Sequence, residues 1–235
     1  MKRVLLIVVC IFCLIRLHAQ FRIDYHTSYA TYNMSDMKDF VHSVKSSEPF
    51  RQFGMELVED FPAYIAHSVN IGYRLSRHEF GIKSGFYSTG SKLSVGDYSG
   101  KINISFTTNG YREGIYYRNY FYSLKSEDSQ GVYRDRFSVW GEVSPAMIIS
   151  TLNIKTTLTD VDMQEVVDVD DPEYNENGGS LLLQVGGRYY INRMVSIDLS
   201  VGYDISFGGN YEGLNGSPRS DWSGLKLSGG LGFSF

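Results

Sequence analysis

The sequence predicts an all-β chain, folded as an eight-stranded antiparallel transmembrane β-barrel with short turns at one end and long loops at the other. Three observations carry this. In residues 195–207, Val195, Ile197, Leu199, Val201, Tyr203, Ile205 and Phe207 share one face, while Ser196, Asp198, Ser200, Gly202, Asp204 and Ser206 share the other. Strands of soluble sheets usually run about 5–6 residues, whereas a tilted strand needs about 9–11 to cross a bilayer. Thirteen residues of unbroken alternation therefore favour lipid on the apolar face. Residues 225–235 repeat the pattern, with Leu225, Leu227, Leu231, Phe233 and Phe235 against Lys226, Ser228, Gly230, Gly232 and Ser234. The third observation is composition: 24 glycines, 18 tyrosines and only 5 prolines in 235 residues, with no second apolar run fit for a helical span.

The elements follow in order. Lys2 and Arg3, the apolar run 4–15 and the small residue Ala19 form a secretory signal peptide, too short to span as a helix. It occupies residues 1–19, with cleavage after Ala19 expected, and the barrel domain occupies 20–235. Cys10 and Cys13 both lie in the signal, so the exported chain uses no disulfide and no thiolate. Loss of Lys2, Arg3 and Arg16 leaves 19 bases against 26 acids, a net charge of −7. Nucleic acid, which normally requires a basic face, is thereby excluded as a partner. The eight strands fall at 21–32, 63–75, 79–89, 111–122, 137–151, 179–191, 195–207 and 225–235. Residues 76–78 and 192–194 are tight turns and 124–136 a medium connection. Residues 33–62, 90–110, 160–178 and 208–224 are long loops, the alternation of an outer-membrane barrel with both termini beneath its short turns. Asn109-Gly110 has the form of a hairpin turn, but a turn there would break the even count. Residues 101–107 are instead the projecting top of the fourth strand. In the first long loop, Ser35 caps a short helix whose Met37, Phe40, Val41 and Val44 share a face and close over the barrel mouth as a lid.

Alternation also sorts the interior. Arg22, Asp24, Asn70, Arg74, Lys83, Arg112, Arg118, Glu142, Gln184, Arg188, Asp198, Asp204 and Lys226 point inward. An eight-stranded barrel holds side chains and little else, so these seven cations and four carboxylates must pair. They form either a plug that seals the lumen or the lining of a narrow ion path.

No phosphate-binding loop, zinc-ligand spacing or nucleophile elbow is present. The histidines left after the signal, His26, His42, His67 and His78, are scattered, and no metal or other cofactor is expected. The acidic stretch 160–176 lacks the glycine and closing glutamate of a calcium loop and reads as a solvated, repelling segment. His67, Ser88 and Glu113 all face outward at similar heights on neighbouring strands, so an acyl-ester hydrolase acting on membrane lipid enters as an enzymatic alternative.

Residues 228–235, with Ser228, Gly230, Phe233 and the terminal Phe235, resemble the signal read by the outer-membrane assembly machinery. The chain as a whole resembles the small, porin-like outer-membrane β-barrel proteins of the Bacteroidota. The matching features are Ala19-Gln20, Ser88-Thr89-Gly90-Ser91-Lys92-Leu93 followed by Asp97-Tyr98-Ser99-Gly100, Gly141-Glu142-Val143-Ser144-Pro145, Gly202-Tyr203-Asp204 and Asp221-Trp222-Ser223-Gly224-Leu225. The resemblance implies an outer-membrane location, with membrane lipid, lipopolysaccharide and the assembly machinery as partners. It implies no particular substrate. Three functions stand in order: a filled structural or surface-interaction barrel, a narrow channel for small solutes, and a lipid A deacylase-like enzyme. In that last family histidine and serine share one strand, which His67 and Ser88 do not.

Overall fold

The computed structural model describes residues 19–48, 50–98, 100–127, 133–160, 165–169, 173–214 and 216–235. The signal-peptide segment 1–18 and, within the acidic stretch, residues 161–164 and 170–172 lie outside the described residues.

Eight strands close a ring. They are β1 (Ala19–Ala30), β3 (Tyr64–Leu75), β4 (His78–Asp97), β5 (Gly100–Glu127), β6 (Tyr133–Asp160), β8 (Glu173–Tyr190), β9 (Val195–Phe207) and β10 (Gly224–Ser234). Each pairs antiparallel with the next, and β10 pairs back onto β1. This is the expected fold class, with every expected strand present. β5 runs straight through Asn109 and Gly110, so no hairpin interrupts it. The seam sets Ile23 opposite Phe233 and Ser28 opposite Ser228. The Phe235 amide donates to the Phe21 carbonyl at 2.9 Å, and the two rings lie 6.2 Å apart.

The alternation that forms the strands also turns the usual globular arrangement inside out. Ile82, Ile115, Val185 and Leu199 stand on the outer face, between 54% and 67% exposed. Inside lie charges. Phe121 and Tyr122 are both exposed because the β5–β6 register slips between Tyr120 and Tyr122, a bulge that shifts the parity of the lower end of β5.

Two of the long loops are mostly strand, which corrects the expectation of loops at 90–110 and 160–178. β4 continues to Asp97 and β5 starts at Gly100, while β6 reaches Asp160. β2 (Glu56–Asp60) adds to the edge of β4, and β7 (Glu165–Val169) adds to β6. The result is a five-strand sheet above the long-loop end of the ring. The strands continue because an apolar layer continues with them: Leu93, Ile104, Phe106 and Leu152 are buried. Helix α1 (Ser35–Ser46) covers that layer, with Met37 and Val41 fully buried. Phe40 meets Phe106 edge-on, 6.0 Å between centroids. Each such side chain contributes about 1.5–3 kcal/mol by leaving water. The lid is therefore part of an apolar core at the barrel mouth, with Tyr32, Met34, Tyr87, Tyr211 and Trp222. A four-residue helix, α2 (Phe50–Phe53), follows it.

The expected helix cap is not there. Met34, not Ser35, sits at the cap position, in a left-handed conformation with φ 48° and no side-chain cap. The Ser35 hydroxyl donates to Asp36 instead. Burial of the Met34 side chain sets the start of the helix. The backbone just ahead of it is tied down, with the Asn33 amide on Ser223 O and the Met34 amide on Asp221 O.

Glycine is required at two positions of the β3–β4 pair. A Cβ on Gly81 would stand 2.2 Å from the Ile71 carbonyl oxygen and 2.6 Å from the Tyr116 ring. A Cβ on Gly72 would stand 2.0 Å from the Tyr116 hydroxyl. These two glycines clear the floor on which Tyr116 lies. Gly81→Val is expected to lower the denaturant midpoint of refolded barrel by the equivalent of about 3 kcal/mol or more, because backbone cannot move aside inside a paired ladder. Band-shift electrophoresis of unboiled samples after denaturant titration reads the loss.

Candidate functional site

The thirteen residues sorted inward by alternation all lie inside the ring, none more than 9% exposed. They assemble into layers from the short-turn end to the mouth.

At the short-turn end, the Arg74 guanidinium spans three partners: Asp135 Oδ2 at 2.8 Å, Tyr190 OH at 2.6 Å and the Ser76 carbonyl at 3.0 Å. It also lies 4.0 Å over the Tyr120 ring. In the middle, Arg118 is the hub. Its Nε and Nη2 donate to Glu142 Oε2 at 3.0 and 2.7 Å, and its Nη1 reaches Asp24 Oδ2 at 3.1 Å and Glu79 Oε1 at 3.3 Å. The Trp140 ring lies 4.1 Å beneath it. Lys83 completes Glu142, donating to its other oxygen at 2.6 Å and to Gln184 at 2.7 Å. Arg188 bridges Asp198 and Asp24, both at 2.6 Å. Arg22 donates to Ser196 at 3.1 Å and stands 3.8 Å from both Asp24 and Glu79. Nearer the mouth, Lys226 donates to Asp204 at 2.6 Å. Arg112 lies 3.5 Å from Asp204 and donates to Ser180 at 2.9 Å and Ser144 at 3.1 Å.

Several interior groups were missed. Glu79 is fully buried and accepts from Tyr116 at 2.8 Å and Tyr120 at 2.6 Å, as well as from Arg118. With Glu79 and Asp135 included, seven cations face six carboxylates among the described residues, so the cationic excess needed to line an ion path nearly vanishes. Glu79 shares its parity with Gly81 and Lys83, and His26 shares its parity with Arg22 and Asp24. That signal was available for both. Tyr87, Trp140 and the tyrosines of β5 had no such signal, since aromatic residues populate both faces of these strands.

The mouth is closed by rings. Trp222 donates its indole N–H to Ser150 at 2.9 Å and meets Tyr32 edge-on at 4.9 Å and Tyr87 at 5.7 Å. Beside it, both oxygens of Glu176 accept from the Ser220 amide, at 3.0 and 3.2 Å. The Tyr211 hydroxyl pairs with Ser220 at 2.6 Å.

The outward constellation His67, Ser88 and Glu113 does not come together. His67 Nδ1 bonds the Tyr25 hydroxyl at 2.8 Å, Ser88 donates to Asn109 at 2.8 Å, and Glu113 accepts from Ser84. Glu113 stands opposite Ser84 in the ladder, two outward positions below Ser88. Similar sequence height did not translate into similar height on the barrel because strand stagger separates them. Of the terminal residues, Gly230 leaves room for His26, whose ring carbon would meet a Cβ there at 2.4 Å. Ser228 pairs with Ser28 at 2.7 Å. Phe233 and Phe235 face outward.

No protein-family model and no curated protein matches the chain. Among solved structures it is similar to Neisserial surface protein A, with TM-score 0.37 and 10% identity over 92% of this chain and 97% of that one. It is similar to Ail, the attachment invasion locus protein of Yersinia pestis, with TM-score 0.30 and 12% identity over 92% and 97%. It is also similar to the outer membrane protease OmpT of Escherichia coli, with TM-score 0.29 and 8% identity over 93% and 97%. The assignment of the fold rests on the closed ring of strand pairings.

Glu176 lies at the long-loop end of β8, beside the mouth, and burial pushes its carboxyl up to about 7 from an ordinary 4.5, only partly offset by hydrogen bonds from Ser220 and Ser150 and by Arg219. Because the folded state raises this value, its contribution to stability is complete below about pH 4.5 and is lost as pH rises through about 7. The gap in denaturant midpoint between Glu176→Gln and the native chain is therefore expected to move in favour of Glu176→Gln between pH 4.5 and 8.

Proposed function

We propose that the protein is an outer-membrane barrel with a sealed lumen, serving as a structural or surface-interaction element and passing no solute. One observation carries the reading. Paired charges and stacked rings fill the interior from Arg74–Asp135 to Trp222. A cavity lined by His26, Lys83, Trp140 and Lys226 offers about 20 Å³ to water centres, room for about one water. The apolar outer belt suits hydrocarbon, and the start of β1 and the end of β10 both lie at the short-turn end, the periplasmic side of such a barrel. Export would use the signal at residues 1–19. The assembly machinery would read Ser228, Gly230, Phe233 and Phe235. Membrane lipid and lipopolysaccharide would contact the belt and its upper rim. The five-strand sheet and its α1 lid would stand at the cell surface as a firm platform. A sealed structural or surface-interaction barrel requires no enzymatic step.

Planar-bilayer recording of the full refolded chain tests the seal. The reading expects a quiet baseline. Reproducible discrete conductance steps, altered by substitutions at Trp222 or Arg118, would establish the channel alternative in its place.

A further inference from the structure

A cluster in the lower half of the lumen keeps several polar atoms that the surrounding ion pairs leave without a hydrogen bond. Asp24, His26 and Asp198 each bring one ligand atom to a common point, with these atoms all within 4.8 Å of one another. All three residues are at least 96% buried. Each carboxylate spends one oxygen on Arg188, which takes Asp24 Oδ2 and Asp198 Oδ1. The remaining oxygens, Asp24 Oδ1 and Asp198 Oδ2, have no hydrogen-bond partner, and neither does either nitrogen of His26. Leaving such groups unsatisfied in a buried site costs about 1–3 kcal/mol each, more for a charged one.

The backbone is arranged to keep the space open. His26 on β1 and Asp198 on β9 both lie opposite Gly230 of β10 in their ladders, so only a glycine separates them. A Cβ on Gly230 would meet the His26 ring at 2.4 Å, and one on Gly232 would meet Asp24 Oδ1 at 2.5 Å. Directly across the β1–β3 ladder from Asp24 sits Asn70, 1% exposed, with both its amide oxygen and its amide nitrogen unpartnered.

We propose that Asp24 Oδ1, one ring nitrogen of His26 and Asp198 Oδ2 bind a single divalent transition-metal ion of the zinc class, with a water in the remaining position. One imidazole with two carboxylates is a borderline donor set that suits such ions better than calcium or magnesium. Bonds of about 2.0–2.2 Å require the three groups to close by a small rotamer adjustment. Asn70 can hydrogen-bond the bound water, as outer-shell groups commonly do. Arg188 fixes the other oxygen of each carboxylate. Arg22, Arg118 and Arg188 balance Asp24, Glu79 and Asp198 before any ion enters. A divalent ion would add positive charge to a lumen that already holds seven cations against six carboxylates, so the site binds more weakly than an acidic site of the same ligands would. His26 is the selective probe, because it donates to and accepts from nothing in the network.

The test uses the full untagged chain, refolded in detergent with zinc ion alone and then desalted. Native protein is expected to retain one equivalent by mass spectrometry, with His26→Ala retaining less than one tenth. His67→Ala and His78→Ala, whose rings face outward, should retain the full equivalent. Cobalt(II) in place of zinc should give visible d–d bands in the native chain that His26→Ala lacks. The cobalt spectrum of the native chain stands even if His26→Ala does not fold. Absence of retained zinc and of a cobalt spectrum in native protein would overturn the proposal and leave buried water as the occupant. Equal retention by native protein and folded His26→Ala would equally overturn it, placing the metal elsewhere. Neither result bears on whether the lumen is sealed.

Discussion

The structure depends on one constraint: charges placed inside a narrow closed ring have no water to retreat to. An eight-strand ring leaves an interior just wide enough for side chains. The period-2 pattern that makes the outer face apolar sends the polar half of every strand inward. Each inward cation must then find an anion, since an unpaired buried charge costs several kcal/mol. Arg118 shows how this is met. Its planar fork takes Glu142, Asp24 and Glu79 at once and rests on Trp140. A lysine could not span those partners. The partners come from β1, β4 and β6, so the ion pairs tie together strands distant in sequence.

The same constraint explains why the apolar core sits at the mouth. With the ring interior given to charges, apolar burial is available only where the strands outrun the ring. There β4, β5 and β6 continue as a sheet, and α1, Tyr32, Tyr211 and Trp222 fill the space beneath. The cap and the network share Tyr87, which stacks near Trp222 and receives a hydrogen bond from Lys226. Closing the mouth and pairing the lumen are thus one packing arrangement.

Much of the barrel was legible in the sequence, because strand number, strand phase and inward residues follow from a single periodicity, apolar outward and polar inward, that runs through every strand of the ring. Parity placed all thirteen inward residues, from Arg22 to Lys226. It missed Glu79, which lies next to a tight turn where alternation has barely begun, and His26, which is neither clearly apolar nor clearly charged. It could not sort the tyrosine-dense β5, where aromatics occupy both faces and the bulge after Tyr120 shifts the phase. The partners within the lumen were not legible at all. Whether Arg188 meets Asp198 or Glu142 depends on stagger between strands, which no single strand encodes. The same stagger dispersed His67, Ser88 and Glu113. The missing Ser35 cap has a different cause: the buried Met34 side chain outweighed a local capping preference.

The claim that the buried lumen charges hold one another by direct pairing, rather than each being accommodated on its own, is tested most directly by a double-mutant cycle on Arg118→Met and Glu142→Gln. Unfolding free energies would be measured for the native chain, both single variants and the double variant in one detergent. The account predicts a coupling energy of about 2–3 kcal/mol, with the double variant more stable than the sum of the singles requires. Additivity within about 0.5 kcal/mol would contradict it.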